Sequence, residues 1–446
     1  MPLMSTSKES PELTGLVPLF LKKNSERRLR NGHPWVFSNE IDIGRSPLRG
    51  LDPGSAVEVR HNNGHPLGTG YVNPATLISV RLFGREPGLT PDQAFLEARL
   101  VQARQHRDRY FKAPFYRLVY GESDGLPGLI VDRYGDVLVV QLTTAGMERL
   151  RDRVIDALRA VFAPKCIFLK NDIASRELEG LTLYTETVHG DLPSAIPYEE
   201  NGARFEISPG AGQKTGWFFD HRANRARAMW EVKGKRVLDL FCYTGSWGIQ
   251  AAVAGAKEVF SVDSSQPALD QVAHHAALNG VEERVQIERG DVFEVLRQLR
   301  AAGERFDVII ADPPAFIRRK KDSTSGYEAY RRLNGLAMQL LGSDGLLISA
   351  SCSYHLSREK LVEILARVSG PLGRRAMIVA EGHQDLDHPM HPALLETNYL
   401  KTLFLRLSGE ALEPPPTRSL HGDSHAGDLT PTAQAGVGQP DAPESP

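Results

Sequence analysis

Cys352 stands in Ser349-Ala350-Ser351-Cys352-Ser353, some forty residues after Asp312-Pro313-Pro314-Ala315-Phe316, and both segments follow a glycine turn at Asp239-Leu240-Phe241-Cys242-Tyr243-Thr244-Gly245. A free cysteine is only a few per cent thiolate at neutral pH, yet that thiolate is a strong nucleophile. Carbon 5 of a cytosine is a poor nucleophile until something adds at carbon 6, so a thiol beside a methyl sulfonium suits methylation there. Methylating an amine or a hydroxyl needs no thiol. A structural cysteine is the usual finding on a strand. Cys352 comes after an apolar run and between two serines, which favours the nucleophile; Cys242 reads as packing within its loop and Cys166 as core.

Asp312-Pro313-Pro314 pairs a carboxylate with two residues of fixed φ and no N–H. Such a turn aims carbonyls and a carboxylate at a nucleobase edge carrying an exocyclic amine, with Phe316 as a stacking face. Arg318, Arg319, Lys320 and Lys321 follow directly, placed for phosphates or forming a solvated loop. In the first segment Gly245 and Gly248 permit a sharp turn, but the three-glycine dinucleotide fingerprint is absent, which counts against a nicotinamide cofactor. Asp263 ends the next apolar run, where an acid accepts ribose hydroxyls, and Asp291 ends the one after, within reach of an adenine amine. Either acid could equally be a helix N-cap. In order at successive strand ends, they point to S-adenosylmethionine, which has a ribose and an adenine but no pyrophosphate.

The elements that must hold these loops are legible as an alternation. Apolar runs at 237–241, 258–262, 285–288, 308–311 and 346–350 alternate with helical patterns at 247–254, 266–279, 292–301 and 327–341. The expectation is a Rossmann-like α/β domain with a doubly wound, mainly parallel sheet, whose ligands gather outside the carboxyl ends of the strands. Upstream, short alternating runs punctuated by Asp52-Pro53-Gly54 and Asn62-Asn63-Gly64 predict a small β-rich domain. It opens with Lys22, Lys23, Arg27 and Arg28 near the aromatic pair Trp35 and Phe37. Basic residues beside aromatics suit an RNA backbone with a stacked base. On that segment alone, a solvated basic helix with a core tryptophan is the simpler reading. An α+β module of strand-strand-helix-strand-strand type lies between. The expected partition is a disordered 1–16, an RNA-binding domain at 17–90, a middle domain at 91–204, the α/β domain at 205–408 and a disordered tail at 409–446.

The 446 residues are 41% hydrophobic and 24% charged, with net charge −2, which is ordinary globular composition. The tail holds six acids, one base and seven prolines without an aromatic, too little apolar surface to offset the entropy of ordering it. Three scattered cysteines exclude a disulfide framework or a four-cysteine zinc site, and no run is long enough for a membrane span, so a cytoplasmic location is expected. Pro389 and Pro392 break the helix that would align His383, His388 and His391, which favours loop packing, and no metal is expected.

These segments, together with Leu21 to Ile41, Ser208-Pro209-Gly210, Gly212 to Gly216, Asp220-His221-Arg222 and Asp387-His388-Pro389, resemble the bacterial 23S rRNA large-subunit cytosine-C5 methyltransferases over about residues 17 to 408. The resemblance implies a class I S-adenosylmethionine enzyme with an N-terminal PUA domain that grips rRNA. It implies that Cys352 is the covalent nucleophile, that Asp263 and Asp291 hold the adenosine, and that Lys214, Asp220 and Arg222 cover the cofactor. The partner implied is 23S rRNA or a large-subunit precursor, with a homodimer left open. In other RNA cytosine-C5 methyltransferases the proline loop carries a second cysteine; here it does not, so the group removing the carbon 5 proton is unassigned. A guanine N-methyltransferase on the same scaffold, or a ribosome-assembly protein without turnover, are the alternatives.

Overall fold

Three sheets and a hairpin follow one another along the chain in the computed structural model, which describes residues 16–210 and 215–409. The expectations for the extreme N-terminus, for Lys214 and for the acidic tail lie outside the described residues. The first sheet holds β1 (Val17–Phe20), β2 (Trp35–Phe37), β3 (Ser55–Arg60), β4 (Pro66–Val72) and β5 (Ile78–Gly84), in the order β1-β3-β4-β5-β2. Its inner positions, among them Leu19, Val36, Val57 and Val80, make a small core of their own. The basic stretch forms α1 (Arg27–Arg30), a single turn.

Next come α2 (Gln93–Asp108), β6 (Phe115–Tyr120), β7 (Leu129–Tyr134), β8 (Val137–Leu142), α3 (Ala145–Arg149), α4 (Arg151–Phe162), β9 (Cys166–Asn171), α5 (Ser175–Leu178) and β10 (Tyr184–His189). The strands lie in the order β10-β9-β8-β7-β6. Three strands precede the helical segment and two follow it, one more than the expected pattern. Asp92 opens α2 by accepting a hydrogen bond from Phe95 N at 2.8 Å, and Leu96 and Leu100 bury the helix against Val154 and Leu158 of α4.

The hairpin of β11 (Ile196–Glu200) and β12 (Ala203–Ile207) turns alternate residues inward. Its face of Ile196, Tyr198, Phe205 and Ile207 packs against Trp217 and Phe219, while Val139 and Phe168 join from the second sheet. The apolar core therefore runs continuously across position 204. Within it the Glu200 carboxylate accepts from Arg225 Nε at 2.5 Å, Tyr198 Oη at 2.7 Å and Gln250 Nε2 at 2.9 Å, so the buried charge is fully engaged.

The third sheet follows α6 (Arg222–Ala228). It is built from β13 (Arg236–Leu240), α7 (Gly248–Val253), β14 (Glu258–Asp263), α8 (Gln266–Asn279), β15 (Val285–Arg289), α9 (Val292–Ala301), β16 (Phe306–Ala311), α10 (Ser323–Gln339), β17 (Leu341–Ser351), α11 (Arg358–Ser369), β18 (Arg375–Gly382) and β19 (Lys401–Ser408). The order is β15-β14-β13-β16-β17-β19-β18; β13 to β17 run parallel, and β19 runs antiparallel between β17 and β18. The expected strands and helices are all present. β17 starts earlier than its apolar run because β19 pairs with it as far back as Asp344 and Phe306 of β16 pairs with Leu341. Leu240 lies beside both Val262 and Ala311, and Ala311 beside Ser349, so the loops after these strands emerge at one edge. Among the described residues no helix is long and apolar enough to cross a membrane.

Candidate active site

The loop after β13 is bent by three left-handed residues, Phe241 at φ +60°, Tyr243 at +49° and Gly245 at +81°. Non-glycine residues in that region cost about 1–3 kcal/mol each, so their surroundings must over-determine them. Tyr243 N donates to Asp263 Oδ2 at 3.0 Å, while Asp263 Oδ1 accepts from Ser265 N at 2.9 Å. His275 of α8 lies 2.9 Å from the Thr244 carbonyl through Nδ1, and its Nε2 lies 3.1 Å from Glu206 N. Burial lowers the pKa of His275, which suits the neutral tautomer with Nδ1–H donating and Nε2 accepting. Gly248 opens α7 and donates its N–H to Asp239 Oδ2 at 2.9 Å. A Cβ there would fall 2.9 Å from that oxygen and 3.0 Å from Ser261 Oγ, which is why the position needs glycine.

Asp239 is fully enclosed, and its Oδ1 has no hydrogen-bond partner. Burial above all, together with the charges of Asp312 and Asp263, outweighs the Gly248 hydrogen bond and pushes this carboxyl up to about 8. Asp263 is half-buried beneath the loop, and Asp291 is an exposed N-cap accepting from Glu294 N at 3.1 Å. Asp291 thus caps α9 as the simpler reading held, whereas Asp263 does not cap α8, which Ser265 does, and instead holds the Tyr243 and Ser265 backbone; both stand at the strand ends where the cofactor reading placed them.

Asp312 leaves the end of β16 and is gripped from two directions. Its Oδ1 lies 3.3 Å from His221 Nε2, and its Oδ2 accepts from Trp247 Nε1 at 3.1 Å. Burial alone would raise its pKa; the His221 interaction and the indole hydrogen bond outweigh burial and hold it below the usual carboxylate value. Pro313 is buried and Pro314 exposed. Beyond them Ile317 N donates to Ser353 Oγ at 3.2 Å, tying the proline loop to the cysteine segment.

Around Cys352 the two serines turn inward. Tyr330 of α10 has its hydroxyl 2.8 Å from Ser351 Oγ and 2.9 Å from Ser353 Oγ, and Ser353 N donates to Ser351 Oγ at 3.2 Å. With both neighbours buried, the intervening side chain faces the other way, and Cys352 is the one partly exposed thiol of the three; Cys166 and Cys242 are sealed.

Other expected residues lie elsewhere or in different roles. Phe316 packs among Tyr330, Phe241 and Phe293 with ring centroids 4.9, 6.3 and 6.3 Å away, so protein rings occupy its surroundings. Arg222 turns from the strand ends toward the second sheet, donating to Phe115 O at 2.6 Å and lying over the Phe111 ring at 4.5 Å. Asp220 accepts from the Tyr399 hydroxyl. In the first sheet Arg28 forms a bidentate pair with Glu40 at 2.7 and 2.8 Å, and Lys22 Nζ reaches Asn39 O at 2.8 Å, whereas Lys23 and Arg27 are exposed. His388 pairs with Asp387 at 2.7 Å within its own loop.

Comparison with known proteins fits this geometry. A PUA-like domain model matches residues 19–85, and an S-adenosylmethionine-dependent methyltransferase model matches residues 185–378. A ribosomal RNA large subunit methyltransferase I from Shewanella frigidimarina is 38% identical over 394 residues, covering 87% of this chain and 98% of that protein. This chain belongs to that methyltransferase family. The Cronobacter sakazakii relative of the same name is 37% identical over 86% of this chain and 98% of its own length. Two solved structures share the fold at lower identity. A candidate SAM-dependent methyltransferase from Streptococcus mutans has a TM-score of 0.75 at 21% identity, covering 88% of this chain and 100% of its own. A candidate methyltransferase complexed with S-adenosylhomocysteine has a TM-score of 0.76 at 22% identity, with the same coverage.

The chain is thus a class I methyltransferase that uses S-adenosylmethionine, and the residues present fit that cofactor. The left-handed loop, the glycine packed on Asp239, and an enclosed carboxylate oxygen without a partner form an acidic cradle at the strand ends. Four side chains escaped sequence reasoning: His221, Trp247, Tyr330 and His275. Only His221 had a signal, its place in Asp220-His221-Arg222; the others reach their partners from far along the chain.

Proposed function

We propose that this chain methylates carbon 5 of a cytosine in 23S rRNA or a large-subunit precursor, through a bond between Cys352 Sγ and carbon 6. The observation that carries the reading is the outward-facing thiol of Cys352, framed by inward serines and tied through Ser353 to the Asp312-Pro313-Pro314 loop. S-adenosylmethionine, when bound, supplies the methyl group as an electrophile. Addition of the Cys352 thiolate to carbon 6 makes carbon 5 nucleophilic, the state that accepts the methyl. Loss of the carbon 5 proton then breaks the C6–S bond and returns the thiolate. Asp312, held by His221 and Trp247, is oriented to accept from the exocyclic amine of the base, and Pro313 and Pro314 fix that carboxylate in place. Asp239 and Gly245 shape the cofactor loop, with Asp263 and Asp291 at the ribose and adenine ends. The domain at 17–90 grips the RNA, with Lys23 and Arg27 among the exposed basic residues available to phosphate.

A transcript in which cytidines carry fluorine at carbon 5 tests this, because the fluorine cannot leave as the proton does. With S-adenosylmethionine, the protein is expected to form a denaturant-stable RNA adduct on the peptide containing Cys352. Methylation of the ordinary transcript without any such adduct would overturn the reading, and would favour a guanine or another nitrogen as target.

A further inference from the structure

Lys401 opens β19 directly opposite Ser351, the residue before Cys352. Its Nζ donates to the carbonyl of Ser353, the residue after Cys352, at 2.7 Å, and to Tyr399 O at 2.7 Å. The residue therefore meets the segment on both sides of the cysteine, its backbone beside Ser351 and its ammonium at the Ser353 carbonyl. An ammonium has three donors, and two are spent on carbonyls. Among the described residues no carboxylate forms an ion pair with Lys401, although it is half-buried. A lysine removed from water without an acidic partner is costly, and burial pulls this one down to about 8; the one charge acting the other way is that of Cys352. The remaining titratable groups are engaged otherwise. Tyr330 binds the two serine hydroxyls, Tyr399 binds Asp220, and Asp312 lies between His221 and Trp247.

We infer that Lys401 is a positioning residue whose ammonium fixes the Cys352 turn and stabilises the Cys352 thiolate, an inference that rests on Cys352 being the nucleophile. The thiol proton leaves to solvent, the sulfur anion gains a cation fixed by two carbonyls, and the thiolate is consumed when sulfur bonds to carbon 6.

The test is the pH profile of iodoacetamide alkylation of the full-length protein without RNA, read by peptide mass spectrometry at Cys352. Sealed Cys166 and Cys242 leave the signal to one site. The wild-type midpoint is expected below the ordinary thiol value of about 8.5. Lys401→Met is expected to raise it by about one unit and slow labelling at pH 7 about tenfold, while Lys401→Arg keeps most of the rate. Cofactor affinity by calorimetry should be the same for all three, which reports folding. An unchanged midpoint in Lys401→Met, or Lys401→Arg as slow as Lys401→Met, would overturn the inference. Should Lys401→Met fail to fold, a wild-type midpoint at or above 8.5 overturns it equally. None of these results depends on RNA methylation, so the inference and the covalent mechanism fail separately.

Discussion

Replacing Asp239 by asparagine should make the cofactor-free protein more stable at pH 8 and no more stable at pH 4. Burial pushes the carboxyl up to about 8 in the folded state, against an ordinary aspartate value of 3.8 when unfolded. Between those values the folded state keeps a proton that the unfolded state has lost, so stability falls as pH rises through the window and levels off above about 8. The shift of about 4 units sets a ceiling of about 6 kcal/mol on that loss, at about 1.4 kcal/mol per unit. Asparagine does not ionise and escapes the loss. It keeps an oxygen for Gly248 N but puts an amide N–H₂ where Oδ1 has no partner, which costs about 1–3 kcal/mol. The net expectation is a gain of about 3 kcal/mol at pH 8 and a loss of about 1–3 kcal/mol at pH 4. The assay is urea unfolding of wild type and Asp239→Asn at half-unit steps from pH 4 to 9, followed by circular dichroism. S-adenosylmethionine, which carries a sulfonium and an ammonium, should bind the variant at least tenfold more weakly at pH 8. An offset between the two proteins that does not change with pH would refute the reasoning, because it would mean that Asp239 does not titrate in this window.

Two further substitutions probe the supports of the site. Gly245→Ala places a Cβ 2.9 Å from Ile249 Cγ1 on a residue at φ +81°, and should lower the thermal midpoint by an amount equivalent to at least 1–2 kcal/mol while weakening cofactor binding; unaltered affinity by calorimetry would argue that the loop does not carry the cofactor. Tyr330→Phe removes one hydrogen bond from each of the Ser351 and Ser353 hydroxyls, which keep their backbone N–H donors, at a cost of about 1–3 kcal/mol, and should reduce kcat while leaving S-adenosylmethionine affinity intact; an unaltered kcat would detach the Tyr330 hydroxyl from the placement of Cys352.

The alternation of the third sheet was legible because parallel strands covered on both faces read as nearly continuous apolar runs, as Val308 to Ala311 does and as Val237 to Leu240 does but for Asp239. That alternation sets the carboxyl ends of the strands at one edge, which is why the 239–245 loop, Asp263 and Asp312 could be placed together from the sequence. What the sequence hid was non-local. Lys401 meets the cysteine segment only because β19 folds back antiparallel from half a hundred residues away, and Trp247 finds Asp312 across 65 positions. Electrostatic pairing was hidden in the same way. Arg28 and Arg222 look alike as basic residues in a motif, yet Glu40 and the Phe111–Phe115 segment claim them within the fold. Nor does composition mark the junction near residue 204, where the β11–β12 hairpin extends one core from the second sheet to the third.

The most direct measurement is nucleoside mass spectrometry of 23S rRNA incubated with S-adenosylmethionine and either the wild-type protein or Cys352→Ala. The account predicts 5-methylcytidine with the wild type and none with the variant, while calorimetry shows the variant still binding S-adenosylmethionine. 5-Methylcytidine from Cys352→Ala, or a methylated guanosine from the wild type, would contradict it.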